Sequence, residues 1–96
     1  MSDTSLQGAV RDNRDLRRFE LVAEGGVVFA DYRATPEALI ITHTETPWAL
    51  RGRGLASQLI QGALEQIRQR GLKVVPACSF VADYIDMHPE FASLRK

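Results

Sequence analysis

Thiol chemistry is nearly absent from this sequence: Cys78 is its single cysteine, which excludes an internal disulfide. Net charge is absent too, because 12 Lys and Arg balance 12 Asp and Glu. No overall field draws the chain onto a polyphosphate backbone, so nucleic acid is not expected as a partner. Long apolar runs are also missing. Stretches such as residues 27–30 and 39–41 fall far short of the roughly 20 residues that span a bilayer, and no membrane segment is expected. The start, MSDTSLQG, has neither the basic nor the apolar region of a signal peptide, and with the lone cysteine it reads as cytoplasmic. What remains is ordinary globular material, 45% hydrophobic and 25% charged over 96 residues, enough for one small domain with a thin core.

Hydrophobic periodicity divides that domain. Residues 1–13 are polar and aperiodic and are expected to form a flexible leader, with the folded domain over 14–96. Residues 16–22 mostly alternate, as a half-buried strand does, and Gly25-Gly26 then marks a hairpin turn. Val28, Ala30 and Tyr32 share one face of a second strand, which Thr35-Pro36 ends. In a third strand Leu39, Ile41, His43 and Glu45 are expected on one face, with Ile40, Thr42 and Thr44 behind. The period changes after that. Leu55, Ala56, Leu59, Ile60, Ala63, Leu64 and Ile67 recur at helical spacing, which predicts an amphipathic helix over 54–70 capped by Gly71. Residues 72–75 form a short apolar strand stopped by Pro76, and Phe80, Val81, Tyr84 and Ile85 describe a last helix before Pro89. The predicted fold is α+β: a three-stranded antiparallel meander, a crossover helix, a parallel fourth strand and a C-terminal helix. A right-handed crossover makes the third and fourth strands parallel, and ligands collect outside the carboxyl ends of such strands. Here those ends are residues 43–48 and 76–79.

Arg51-Gly52-Arg53-Gly54-Leu55-Ala56 lies between the third strand and the long helix. Glycines admit a ligand close to the backbone, first-turn amides lack internal partners, and the helix dipole favours an anion. The segment suits a diphosphate. It is not a nucleoside-triphosphate P-loop, and Ser57 stands where a dinucleotide fingerprint needs its last glycine.

At this loop the sequence resembles the Gcn5-related N-acetyltransferase superfamily, whose coenzyme A motif is Gln or Arg, two residues, Gly, one residue, then Gly or Ala; Arg51, Gly54 and Ala56 match it. It is similar in particular to short single-domain members, through His43-Thr44-Glu45-Thr46-Pro47, Pro76-Ala77-Cys78-Ser79-Phe80-Val81 and His88-Pro89-Glu90-Phe91. The resemblance implies acetyl-CoA as cosubstrate, an amine as acceptor and a minimal form of that superfamily's fold. The expected cofactor site comprises Pro47, Arg51, Gly52, Arg53, Gly54, Leu55, Ala56, Ser57 and Tyr84. Extra N-terminal elements that wall the acceptor site in larger members have no counterpart in the motifs matched.

Cys78 falls at the start of the last helix, where unpaired amides lower a thiol pKa; it is either a nucleophile that carries an acetyl thioester or a small packed side chain. His43 is the candidate proton acceptor, from Cys78 or from the amine, with Glu45 to orient it or to act as base itself. Tyr84 is placed to protonate the departing CoA thiolate, or to pack. Trp48 either covers the cofactor or fills the loop. No metal ligands are assigned. Two functions follow: acetyl transfer from acetyl-CoA to an amine, directly or through Cys78, and noncatalytic binding of CoA or acyl-CoA for sensing or for presentation to a partner protein.

Overall fold

A computed structural model describes residues 9–96; the expectation that falls on residues 1–8 lies outside them. One sheet carries the fold, with β1 (Val10–Asn13), β2 (Arg18–Ala23), β3 (Gly26–Ala34), β4 (Ala38–Glu45) and β5 (Lys73–Pro76) adjacent in chain order. The first four are antiparallel, and β5 runs parallel to β4, from Ala38 opposite Lys73 to Ile41 opposite Pro76. The class, the meander and the parallel closing strand are as predicted. The meander, however, has one strand more, because part of the segment read as a leader pairs with β2.

Residues 10–13 escaped the periodicity because Val10 is their only apolar side chain. Tertiary bonds hold them instead. Val10 is 3% exposed, and its carbonyl accepts from Gln66 Nε2 at 2.6 Å. Asp12 accepts from the Tyr32 hydroxyl at 2.6 Å and from Arg70 at 2.8 Å.

Helix α1 (Leu55–Gln69) crosses from β4 to β5. Its apolar stripe, Leu59, Ile60, Ala63, Leu64 and Ile67, is fully buried in one cluster with Phe19, Val28, Ala30, Ile41 and Val74. Burying each large side chain of this kind stabilises the fold by about 1.5–3 kcal/mol. The helix stops where predicted: Gly71 takes φ +71°, its N–H reaches the Arg68 carbonyl, and Leu72 N–H reaches that of Ile67, a paired closure that leaves few orphan carbonyls. Helix α2 (Ser79–Met87) adds Val81, Tyr84 and Ile85 to the same cluster, and a 3-10 segment, Pro89–Leu94, seals it with Phe91 and Leu94. No helix among the described residues is long and apolar enough to cross a membrane.

One irregularity matters for function. Tyr32 pairs with Ile41 but Asp31 pairs with His43, so β4 bulges by one residue at Thr42. Directly opposed residues share a sheet face. Thr44, opposite Ala30, therefore lies on the inner face with Ile41, while His43 and Glu45, opposite Asp31 and Phe29, lie on the outer face. This corrects the expectation that Leu39, Ile41, His43 and Glu45 share one side: a bulge reverses the alternation beyond it.

Candidate functional site

Two adjoining cavities lie at the carboxyl ends of β4 and β5. The first, about 170 Å³, is lined by the loop residues Arg51, Gly52, Gly54, Leu55, Ala56 and Ser57, with Thr46, Leu50 and Phe80 completing it. A 3-10 turn, Trp48–Leu50, sets the loop by burying Leu50, and Arg51 leaves it extended. Gly54, in the left-handed region at φ +73°, then turns the chain into α1. No side chain caps this helix, so its first-turn amides are available to an anion. A Cβ added at Gly52 or Gly54 would meet nothing within 4 Å. The space beside the loop backbone is open, and no carboxylate lines the first cavity. That donor set and that sign of charge fit a diphosphate.

The second cavity, about 240 Å³, shares Ser57 and Phe80 with the first and continues along α2 past Asp83, Tyr84, Met87 and His88. The Tyr84 ring stacks on His88 at 3.8 Å, and His88 Nδ1 meets the Tyr84 carbonyl at 2.7 Å. Burial, with some help from Glu90 and Glu65, pushes the Tyr84 hydroxyl above its ordinary range, which keeps it a proton donor.

Cys78 is the N-cap residue of α2, half-buried, with its carbonyl accepting from Val81 and Ala82. Its thiol hydrogen-bonds the Thr44 hydroxyl at 3.6 Å. Burial raises the thiol pKa, but the Thr44 hydroxyl and the backbone N–H groups of Val81, Phe80 and Thr44 outweigh it, and the net shift is downward.

The other predicted residues divide by location. Arg51 lines the first cavity and donates to the Thr46 carbonyl at 3.3 Å; Arg53 and Pro47 do not line it, and Pro47 accepts from Leu50 N–H to form the short turn. Trp48 is 83% exposed and lines neither cavity. His43 bonds Glu45 Oε1 through Nε2 at 2.8 Å and meets Phe29 edge-on, on the sheet face away from α1. Cys78 and His43 are thus bonded to different partners on different faces. Thr44, Phe80, Asp83 and Met87 were not singled out from the sequence; only the bulge and the two-cavity groove reveal them. Among the described residues no His, Cys, Asp and Glu grouping could hold a metal ion.

A crossover helix is thus entered through an uncapped, glycine-turned loop beside the split between the parallel strands β4 and β5. Residues 18–94 match the model of the GCN5-related N-acetyl-transferase family, and the chain belongs to that family. It is similar to Protein NATD1 of Xenopus tropicalis, 29% identical over 91 residues that span 91% of this chain and 83% of that protein. Protein NATD1 of Mus musculus is 30% identical over 84 residues, 83% of this chain and 76% of that protein.

Proposed function

We propose that this protein moves an acetyl group from acetyl-CoA to a primary amine, with Cys78 receiving the acetyl group first. The observation that carries the reading is proximity: the anion-fitting loop and the groove along α2 lie at the split between β4 and β5, and Cys78, which lines neither cavity, bonds Thr44 at the same split with a thiol of lowered pKa. β4 outruns its partner there, since pairing ends at Ile41 and Pro76 while β4 continues to Glu45. An amide-bearing arm has an unpaired strand margin to follow from the loop toward Cys78.

In this reading the backbone of residues 51–57 holds the diphosphate and Arg51 adds charge. The Cys78 thiolate attacks the acetyl carbonyl; a carbon–sulfur bond forms on Cys78 as the bond to the CoA sulfur breaks, and Tyr84 supplies the proton to the leaving thiolate. The amine then attacks the Cys78 thioester, a carbon–nitrogen bond replaces the carbon–sulfur bond, and the amine proton passes to His43, which Glu45 orients. Its place on the outer face suits His43 to an amine arriving from that side. Noncatalytic CoA binding accounts for the cavities but leaves the lowered thiol pKa without a role. A free, ionisable thiol also supports a reducing, cytoplasmic setting.

Intact-mass measurement after incubation with acetyl-CoA tests the reading. One acetyl mass, labile to hydroxylamine, absent in Cys78→Ala and discharged by added amine, is the expected result. CoA binding with neither acetyl-protein nor acetyl-amine formed would leave a binder.

A further inference from the structure

The bulge at Thr42 has exchanged the neighbour of the thiol. With regular alternation His43 would share the inner face with Ile41; with the extra residue, Thr44 occupies that face and reaches Cys78, 34 positions away in the chain. Thr44 also sits on the part of β4 that has no β5 partner, opposite the fully buried Ala30. It is therefore anchored from β3 and open toward the start of α2.

We propose that Thr44 is a positioning residue, whose hydroxyl donates a hydrogen bond to the Cys78 thiolate and holds the sulfur at the open margin of β4 for attack. A hydroxyl can reverse its role as the sulfur ionises, accepting from the thiol and donating to the thiolate, and a β-branched side chain holds its rotamer stiffly. The groups that set the ionisation of this sulfur are neutral: the Thr44 hydroxyl and the amides of Val81, Phe80 and Thr44. Donation to the charged form favours it, so the same contact that fixes the sulfur in space also favours its ionised form. The role rests on the acetyl-thioester reading of Cys78, but its test does not use acetyl-CoA.

The rate of Cys78 alkylation by iodoacetamide, followed by intact mass from pH 6 to 10, reads thiolate fraction and access separately. Thr44→Val, nearly isosteric, should move the midpoint up by about one unit, lower the rate near neutral pH by roughly tenfold and leave the high-pH plateau unchanged. Thr44→Ser should restore the parent profile to within about twofold. Circular dichroism and thermal melting establish that both variants are folded. An unmoved midpoint in Thr44→Val, a change confined to the plateau, or a Thr44→Ser profile like that of Thr44→Val would each overturn the proposal. If the midpoint moves as expected while acetyl-CoA leaves the parent unmodified, the Cys78 thioester fails and the Thr44 contact stands.

Discussion

The hydroxyl of Tyr32 on β3 donates to the carboxylate of Asp12 on β1 at 2.6 Å, reaching past the intervening strand β2. Burial first, then the hydrogen bond and charge of Asp12, push the Tyr32 hydroxyl up to about 12. A group whose folded pKa is raised contributes its full stability below the unfolded value, about 10 for tyrosine, and loses it as pH rises through the folded value. Urea unfolding should therefore show stability falling between pH about 10 and about 12, and the part of that fall due to Tyr32 should vanish in Tyr32→Phe. The substitution should also cost about 1.5–3 kcal/mol at neutral pH, the range for hydrogen bonds to charged groups.

Val10→Asp places a carboxylate at a side chain that is 3% exposed, within the core cluster. Chemical denaturation should show a loss of several kcal/mol or failure to fold, since Arg70, the cation on that face of β1, is already paired with Asp12. Arg11→Asp, at an exposed position on the outer face, sets a carboxylate opposite the buried Glu20, which Arg18 and Asn13 still bind, and should cost less, about 1 kcal/mol.

Ser57 separates binding from folding. It is the third residue of α1 and lines both cavities. Ser57→Asp puts a negative charge where the helix dipole welcomes it, so thermal stability should hold or rise by about 0.3–1 kcal/mol. The same charge repels a diphosphate, and CoA affinity measured by calorimetry should fall at least about tenfold. Unchanged affinity would remove the loop from the site. Gly54→Val should weaken binding as well, though its left-handed φ makes strain part of that effect.

His43 and Cys78 should respond to different assays. If His43 serves the amine from the outer face, His43→Ala should leave formation of the Cys78 acetyl thioester within about twofold while slowing its discharge to an amine by roughly 10²-fold. Single-turnover mass spectrometry of each half-reaction checks this. Equal slowing of both halves would mean that His43 acts on the thiol itself.

Much of this architecture was legible in advance, for physical reasons that differ element by element. The long helix announced itself because Leu59, Ile60, Ala63, Leu64 and Ile67 bury one face, and Gly71 ends it by a local backbone rule. The loop was legible because glycine and helix-start chemistry are local too. β1 was not, since Gln66, Arg70 and Tyr32, all distant in sequence, hold it. Nor was the bulge: nothing in Ile41-Thr42-His43-Thr44-Glu45 breaks the alternating pattern, and only the pairing with Asp31 and Tyr32 decides which side chains turn inward. Which β4 side chain reaches Cys78 turns on that pairing alone.

The strands follow one another across the sheet in the order in which the chain supplies them. Each of the first four can therefore zip onto its predecessor as a hairpin, with short loops to close and little entropy lost in each closure. The join of β5 to β4 is different, because Ala38 must find Lys73 across a whole helix. Cys78 reaches Thr44 only after that join. The groove is thus assembled by the most remote contact in the sheet, and a nascent chain carries a finished meander before it carries the Cys78 thiol beside Thr44.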